Sequence, residues 1–468
     1  MEDVIIAADW VLPMDPRLPS CIERGAVWLR EGRIVAVGPR DEVLAERRAA
    51  GYTDLVAVDE GPGHVLLPGL VNAHTHLFQS YLRGVHDDAV LEEWLRRVIW
   101  PWVEHFTPED YRHATLLGAL ENLRSGVTTV AEHAYMTGGM ETVEAVVDAF
   151  AESGLRGQIA YGFADQNYPH MLRETVDSVL AKLDHLRAQV APHAGMLKAG
   201  VGPNTLWGVS GPLYRIAGEY AAEHGLPMHC HVAETQLEVE YTLQHYGRRN
   251  VETLAEWGLL RTGMQMVHCV WLEGSEVALA AGSGAVMMHC PTSNMYLASG
   301  AAPAWEAQQQ GMPVVLGTDG PASNNSQDML ETLKMAACLA KVTRLDPTVM
   351  PARDLLHMAT LGAAEQLGLG DRCGSLTPGK VADLTRVDLR GLHCMPVHDP
   401  ASSLVYNAQI GDVSDVWVEG RQLLRGGEGV HHDFAAEAAR AQARIHVLQP
   451  VIRPWDDVRL KQEGLSAA

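Results

Sequence analysis

The sequence predicts an α/β protein, a (β/α)8 barrel of the TIM type together with a small β-sandwich that both termini form. Three observations predict this fold. The middle of the chain alternates short apolar segments with amphipathic helical stretches, which is typical of parallel βα units. Both ends carry short alternating strands with glycine turns instead. The length of 468 residues is sufficient for a large barrel and an additional domain.

The two ends of the chain predict one discontinuous domain. Residues 26–38, AVWLREGRIVAVG, are two alternating segments around Glu31 and Gly32, a pattern that predicts a β-hairpin. GKVADLTRVDLRG and VSDVWVEGRQLLRGG give similar short strands near the other end. We therefore expect a β-sandwich made of residues 1–65 and 373–430, followed by a C-terminal helical extension over residues 431–468.

Residues 66–372 are expected to form the barrel from seven or eight βα units. After the run HVLLPGLV, the strands are predicted by GVTTVAEH, GQIAYGFAD, MLKAGVGP, PMHCHVAE, MQMVHCV, AVMMHCP and PVVLGTDG. Barrel enzymes place their chemistry at the C-terminal ends of the strands. Polar residues that directly follow these apolar runs are therefore the candidates for an active site.

The charge and the cysteines of the chain exclude several classes of partner. Lys and Arg number 36 against 58 Asp and Glu, a net charge of −22, which disfavours nucleic acid and anionic membranes. The first residues, MEDVIIAADWVLPMDP, are acidic where a signal peptide is basic. Seven cysteines are widely spaced and form no CxxC pair. We expect a cytoplasmic protein with reduced thiols and with no membrane or nucleic-acid partner.

Metal-binding side chains follow several of the predicted strands. In VNAHTHLFQ, His74 and His76 point to the same side of a strand because side chains alternate between its faces. His231 follows LPMHC, His268 follows MQMV and Asp319 follows VVLGT. A lone HxH pair is weak support for a metal, but joint placement at successive strand ends predicts a metal site.

The chain resembles the amidohydrolase superfamily, in particular its cytosolic aminohydrolases that act on purines, adenosyl compounds and triazines. The resemblance covers nearly the whole chain, through GRIVAVG, PGLVNAHTH, HVAET, the HC after the sixth strand, GTDGPASNN and GSLTPGKVADL. It implies one divalent metal ion, zinc or iron, with the ligands His74, His76, His231 and Asp319. It also implies that Glu234 and His268 line the substrate side.

These residues suit hydrolytic chemistry. Three neutral imidazoles and one carboxylate fit zinc or iron and leave room for a water, whose pKa the metal lowers to about 7. Asp319 can accept the proton of this water, Glu234 can carry a proton to a ring nitrogen and then to departing ammonia, and His268 can hold the attacking water. A second metal would need a lysine at the end of the fourth strand. Lys198 lies at the start of KAGVGPN, so one metal is favoured.

The predicted function is a metal-dependent hydrolytic deaminase that releases ammonia from an aromatic N-heterocycle. The candidates are a purine, an adenosyl compound such as methylthioadenosine or S-adenosylhomocysteine, a pterin or a triazine. A triazine chlorohydrolase, a cyclic amide hydrolase and an inactive metal-binding scaffold are alternatives. Glu234 favours deamination over dechlorination, since ammonia needs a proton to leave and chloride does not. A homo-oligomer, dimer or tetramer, is expected because barrels of this type often pair.

The resemblance also bears on the substrate. LRGVHDDAVLEEWLRRVIWP is similar to the segment that closes over the nucleoside in enzymes that deaminate S-adenosylhomocysteine and methylthioadenosine. Val103 stands where that group has a ribose-binding glutamate, with Glu104 one position later. Tyr161 and Asn204 stand where the group has an arginine and a histidine, whereas Arg173 matches its second arginine.

Seven residues are candidates for contacts with the substrate. His133 ends the second strand, where it could contact a ring nitrogen or oxygen, and Trp94 could stack on a flat ring, as could Trp207 and Tyr135. Amide and hydroxyl side chains could bind the polar edge of the ring. The full set of candidates is Gln79, Trp94, His133, Arg173, Asn204, Ser323 and Asn324.

Overall fold

The structure, a computed structural model, describes residues 3–53 and 57–465. Its strands are β1 (Val4–Val11), β2 (Ile22–Arg30), β3 (Arg33–Pro39), β4 (Ala57–Asp59), β5 (His64–Pro68), β6 (Leu70–Thr75), β7 (Val127–Tyr135), β8 (Arg156–Phe163), β9 (Leu197–Pro203), β10 (Met228–Val232), β11 (Met264–His268), β12 (Val286–His289), β13 (Val314–Leu316), β14 (Leu384–Asp388), β15 (Val413–Val418), β16 (Arg421–Arg425) and β17 (Glu428–Gly429).

The α-helices are α1 (Arg40–Ala49), α2 (Leu91–Trp94), α3 (Trp100–Val103), α4 (Pro108–Arg124), α5 (Met140–Ser153), α6 (Val176–Val190), α7 (Gly211–Glu223), α8 (Gln236–Tyr246), α9 (Asn250–Glu256), α10 (Gly274–Ala281), α11 (Pro291–Tyr296), α12 (Ala304–Gln309), α13 (Met329–Arg344), α14 (Ala352–Met358), α15 (Leu361–Gln366), α16 (Pro400–Tyr406), α17 (Phe434–Leu448) and α18 (Asp457–Gln462). A π-helical turn over Leu95–Ile99 joins α2 to α3, and 3-10 turns lie at Leu77–Tyr81, His170–Leu172, Ala191–His193 and Ile410–Asp412.

The eight strands β6 to β13 form the predicted barrel. They lie side by side in chain order, and each neighbouring pair is parallel. The backbone N–H of Asp319, just after β13, donates to the carbonyl of His74 in β6 at 3.0 Å, which brings the last strand to the first. Every residue of β7 and β8 is buried, as expected for strands with helices outside and a packed interior. The (β/α)8 prediction is confirmed.

The two termini form a second, nine-stranded sheet. Its order is β17-β16-β15-β14-β5-β1-β2-β3, and β4 pairs with β1. Glu31 and Gly32 turn the β2–β3 hairpin with φ of 51° and 76°. The sheet folds over itself, since the N–H of Ala382 donates to the carbonyl of Gly32 at 2.9 Å. Apolar side chains from both halves, including Ile6, Val27, Leu29, Leu384 and Trp417, share one core. This confirms a β-sandwich built from both ends of the chain.

The sheets do not divide the chain at the predicted residues. Strand β5 spans residue 65 and pairs with β1 and β14, so the terminal sheet continues to Pro68. The reason is that HVLLPGLV is one apolar run in which only Gly69 separates β5 from β6. Helix α16, within the predicted sandwich range, packs on α13 and α14 of the barrel layer. The last segment forms α17, which packs on α4, and α18.

The terminal sheet is attached at the N-terminal ends of the barrel strands. Arg156, the first residue of β8, is 1 % exposed and lies 3.1 Å from Asp383 Oδ2 and 3.2 Å from Glu419 Oε1. The N–H of Gly69, just before β6, donates to the carbonyl of Asp383 at 3.0 Å. The opposite end of the barrel, where the strands terminate, is left for the functional site. Among the helices of the described residues, none is long and apolar enough to cross a membrane.

Candidate metal centre and active site

Five of the predicted site residues meet at the C-terminal end of the barrel. His74 and His76 lie at the end of β6 and directly after it, His231 lies in β10, His268 ends β11, and Asp319 follows β13. All five are buried. His268 and Asp319 have φ of 66° and 64°, a left-handed conformation that is unfavourable outside glycine and that concentrates at functional sites.

The Nε2 atoms of two histidines lie close to one carboxylate oxygen, and a third histidine lies beside them. Asp319 Oδ1 is 3.2 Å from His74 Nε2 and 3.4 Å from His76 Nε2. His76 Nε2 is in turn 3.2 Å from His231 Nε2. Potential ligand atoms of His74, His76 and Asp319 all lie within 4.8 Å of one another. The structure thus gathers the donors that the resemblance assigns to the metal.

Backbone carbonyl groups fix which nitrogen carries the proton in His76 and His231. His76 Nδ1 is 2.7 Å from the carbonyl of His133, and His231 Nδ1 is 2.7 Å from the carbonyl of Asn204. Because a carbonyl only accepts, both Nδ1 atoms carry the proton and both Nε2 atoms keep a lone pair. Burial lowers the pKa of both imidazoles. Two lone pairs therefore face each other at 3.2 Å, and a cation is the partner that fits this arrangement.

His74 is oriented by a chain of hydrogen bonds that the sequence analysis missed. Its Nδ1 is 2.7 Å from His229 Nε2, and His229 Nδ1 is 2.8 Å from Gln265 Oε1. Gln158 Nε2 donates to the same amide oxygen at 2.6 Å. Since Gln265 Oε1 only accepts, His229 carries its proton on Nδ1 and accepts at Nε2, so His74 presents Nε2 to Asp319. The repeat of the HTH spacing in HCH, residues 229–231, could have shown that His229 shares a face with His231.

Asp319 is fixed by donors on both oxygens. Its Oδ1 accepts from the N–H of Gly320 at 2.7 Å, and its Oδ2 accepts from Ser293 Oγ at 2.6 Å and from Ser323 Oγ at 2.9 Å. Burial alone would raise the pKa of Asp319, but the adjacent imidazoles, His74 first, hold it well below the usual range. Asp319 is therefore ionised and has a fixed orientation. Ser293 was not among the predicted residues.

Glu234 and His268 form an acid–base pair beside these donors. Asn294 Oδ1 accepts from His268 Nδ1 at 2.9 Å, which turns His268 Nε2 towards Glu234 Oε2 at 3.5 Å and Asp319 Oδ2 at 4.0 Å. Ser299 Oγ donates to Glu234 Oε1 at 3.4 Å. Burial raises the pKa of Glu234 to about 7. A carboxyl with such a pKa can both take up and release a proton near neutrality.

A cavity of about 70 Å³ opens in front of these groups. Gln79 and Asn204 both line it, and within the described chain Gln79 Oε1 and Asn204 Oδ1 are buried acceptors without a hydrogen-bond partner. Such atoms suit the N–H groups of a heterocycle. The wall combines these groups with aromatic, aliphatic and acidic side chains, namely His76, Gln79, Leu91, Glu92, Trp94, Leu95, Tyr135, Tyr168, Asn204, Thr205, Trp207, His231, Glu234, Thr235, Leu237, Glu238, His268, Leu297, Asp319 and Ser323.

Two residues considered for the substrate lie away from this cavity. Arg173 is exposed, and its Nη2 donates to the carbonyl of Glu463 at 3.4 Å. Glu104 is exposed as well and pairs with Arg459 of α18 at 2.5 Å. The structure does not bring either residue to the cavity.

Two further candidates lie behind the cavity wall. The Nε2 of His133 is 3.1 Å from the carbonyl of Gly202, and the carbonyl of His133 orients His76. Asn324 donates to the carbonyl of Thr318. In this structure both residues support the ligands rather than face the cavity.

Lys198 occupies the half of its strand that the sequence analysis assigned to it. It is the second residue of β9, and its Nζ donates to the carbonyl of Leu367. Burial lowers the pKa of Lys198 to about 8. The lysine therefore lies at the N-terminal end of the strand, opposite the histidine cluster.

Known proteins are similar to this chain over most of its length. The model of the amidohydrolase family matches residues 65–423. A 5-methylthioadenosine/S-adenosylhomocysteine deaminase from Teredinibacter turnerae is 35% identical over 95% of this chain and 98% of its own length. A 5'-deoxyadenosine deaminase from Methanothermobacter thermautotrophicus is 37% identical over 90% of this chain and 95% of its own.

Solved structures show the same similarity. An adenosine deaminase from Xanthomonas campestris with bound zinc has a TM-score of 0.89 and 34% identity, covering 96% of this chain and 99% of that one. An atrazine chlorohydrolase from Arthrobacter aurescens, complexed with zinc, has a TM-score of 0.86 and 27% identity, covering 94% and 100%. With a family model matched over most of its length and relatives aligned end to end, the chain belongs to the amidohydrolase family.

Proposed function

We propose that the protein is a metal-dependent aminohydrolase that replaces the 6-amino group of the adenine ring in adenosyl compounds with oxygen and releases ammonia. The observation that carries the proposal is the position of Glu234. Its Oε2 lies 3.5 Å from His268 Nε2, beside the cluster of imidazoles and one carboxylate. Relatives named as deaminases of adenosyl compounds support this substrate class.

The donor set fits a single divalent ion. His74, His76, His231 and Asp319 would hold it, and their chemistry suits zinc or iron. Such an ion would supply an activated water as the nucleophile at neutral pH.

The protein's own residues then move the protons. Glu234, with a pKa raised to about 7 by burial, takes a proton from the attacking water and delivers it to the ring nitrogen next to the reacting carbon. As the new C–O bond forms, that carbon becomes tetrahedral. The hydroxyl now bonded to this carbon gives up the second proton, Glu234 transfers that proton to the amino group, and the C–N bond breaks with loss of ammonia. His268 Nε2 holds the attacking oxygen, because Asn294 keeps it directed to the cavity.

Other cavity residues position the ring. Gln79 Nε2 donates to the hydroxyl of Tyr135 at 2.9 Å, which fixes the amide and leaves its oxygen free to accept from the base. Trp94 is held by a hydrogen bond from its Nε1 to the carbonyl of Ala322 at 3.0 Å. A rigid indole in the wall offers a flat apolar surface to a purine. We therefore assign Gln79, Trp94 and Asn204 to the binding of the base.

Ammonia release tests the proposal. The metal-loaded protein should be assayed with adenosine, 5'-deoxyadenosine, methylthioadenosine, guanine, a pterin, an aminotriazine and atrazine, with products identified by mass spectrometry. Exchange of NH2 for OH on an adenosyl compound is the expected result. Chloride release from atrazine, or addition of water to a cyclic amide without ammonia, would assign one of the other reactions of the scaffold. No turnover of any adenosyl compound would refute the proposal.

A further inference from the structure

We propose that the C-terminal segment, residues 450–465, holds the aromatic part of the cavity wall in place, and that Trp455 is the positioning residue through which it does so. This segment lies beyond residues 65–423, which the family model matches. The role rests on the proposed deaminase function, because it concerns how that enzyme binds its substrate. Contacts between the C-terminal segment and two cavity-lining parts of the chain support it.

The C-terminal segment is anchored by three apolar side chains. Ile452, Trp455 and Leu460 are all buried. Asp456 accepts from the N–H of Arg459 at 2.8 Å and caps the first turn of α18. A helix of this length is not stable alone in water, so its conformation depends on these buried side chains and on the surface they pack against.

The first contacted part is the segment that runs from α2 to α3. The N–H of Trp455 donates to the carbonyl of Arg96 at 3.4 Å, and the ring centroids of Trp455 and Trp100 are 5.8 Å apart. Directly after α3, Glu104 Oε1 accepts from Arg459 Nη2 at 2.5 Å. Three residues of α2 and the first residue of the π-helical turn line the cavity. The C-terminal segment therefore supports this wall from its outer side.

A row of aromatic rings connects Trp455 to another part of the wall. The ring centroids of Trp100 and Tyr168 are 6.1 Å apart, and those of Tyr168 and Trp207 are 5.4 Å apart. Tilted rings at such distances attract each other. Tyr168 and Trp207 both line the cavity, so Trp455 lies at one end of a row whose other end is the wall.

The loop that carries Tyr168 is also bound by the end of the C-terminal segment. Glu463 Oε2 accepts from the N–H of His170 at 2.9 Å, and the carbonyl of Glu463 accepts from Arg173 Nη2 at 3.4 Å. His170 and Arg173 follow Tyr168 closely in the chain. The C-terminal segment thus joins this loop to the segment between α2 and α3.

The residues that perform the chemistry come from other elements. They lie at or shortly after the C-terminal ends of β6, β10, β11 and β13. The C-terminal segment contacts instead the parts of the chain that carry Trp94 and Tyr168, and through Tyr168 it reaches Trp207. Flat aromatic side chains of this kind suit a purine ring. Loss of Trp455 should therefore weaken substrate binding and leave the chemical step unchanged.

Steady-state kinetics of the metal-loaded enzyme test this role, with the adenosyl compound that the wild type deaminates fastest. Trp455→Ala should raise KM about tenfold, with kcat within about twofold of wild type and with unchanged metal content. Trp455→Phe keeps an aromatic ring and should return KM to within about threefold of wild type. Val458→Ala shortens an exposed side chain of α18 and is the control that should leave KM unchanged.

Hydrogen exchange tests the same contacts without turnover. In Trp455→Ala, the backbone amides of residues 91–104 and 164–174 should exchange faster than in the wild type, whereas those of β10 should not change. Arg459→Gln is a second variant that keeps the test decisive if Trp455→Ala does not fold, because it removes only a partly exposed ion pair with Glu104. It should accelerate exchange in residues 91–104.

The outcomes separate this role from the proposed function. If Trp455→Ala binds substrate with the wild-type KM, or if neither segment exchanges faster, the role of Trp455 is refuted and the deaminase function stands. A variant that loses kcat and metal together would also refute it, since the segment would then support the whole fold. If the wild type releases no ammonia from any adenosyl compound, the proposed function fails, and hydrogen exchange alone decides whether the C-terminal segment holds the wall.

Discussion

Replacing Glu234 with glutamine should leave the metal centre intact and abolish nearly all turnover. The amide has the size of the carboxyl and can keep the contact with Ser299 Oγ, which is 3.4 Å from Glu234 Oε1 in the structure. It cannot carry a proton between water and substrate. Glu238, the nearest carboxyl in sequence, also lines the cavity, and its Oε2 accepts from the N–H of Glu234 at 3.0 Å. A positioned acid–base group contributes about 10²–10⁴-fold to rate, or about 3–5 kcal/mol.

The measurement combines turnover with metal content. We expect kcat/KM for ammonia release to fall at least about 100-fold in Glu234→Gln, while the metal bound per chain, measured by atomic emission, stays at the wild-type level. Glu240→Gln makes the same chemical change on the exposed side of α8 and should behave as wild type. A Glu234→Gln enzyme that keeps more than a tenth of the wild-type kcat/KM would refute the proton-transfer role.

Three further predictions concern the surroundings of the site. His229→Phe removes the acceptor of His74 Nδ1 and should weaken metal binding about 10–100-fold in a chelator competition; an unchanged affinity would contradict this. His231→Ala should lose metal and thermal stability together, because metal binds only the folded site, and full metal occupancy would argue against its ligand role. Burial raises the pKa of Glu132 from 4.5 to about 8, so stability should decrease as pH rises through that interval. In Glu132→Gln, the free energy of unfolding measured with urea should change less with pH. A pH dependence identical to that of the wild type would exclude Glu132 as its source.

The fold and the ligand cluster could be predicted because they follow from local patterns. Several barrel strands are short apolar runs with a polar residue at or just after their C-terminal ends, such as His231 near the end of β10 and Asp319 after β13. The alternation of side chains in a strand was enough to put His74 and His76 on one side. Parallel strands place their C-terminal ends together, so separate motifs along the chain predicted a common site.

Only part of the predicted substrate set lines the cavity, namely Gln79, Trp94, Asn204 and Ser323, because such contacts depend on where loops direct their side chains. Arg173 and Glu104 have plausible positions in the sequence, yet both pair on the surface with residues near the C-terminus. Glu92 lines the cavity instead, and no motif distinguishes it from Glu93, which pairs with Arg97 in the next turn. His229 could not be recognised as a ligand, because it contacts His74 instead of the proposed metal site.

Residues at the proposed metal site also bond the first barrel strand to the segment after the last one. Asn72 in β6 donates through Nδ2 to Thr318 Oγ1 at 2.8 Å, and the N–H of Asp319 donates to the carbonyl of His74 at 3.0 Å. The first and last strands are thus bonded to each other at the place where both supply a ligand. Assembly of the donor set and closure of the barrel therefore depend on the same contacts.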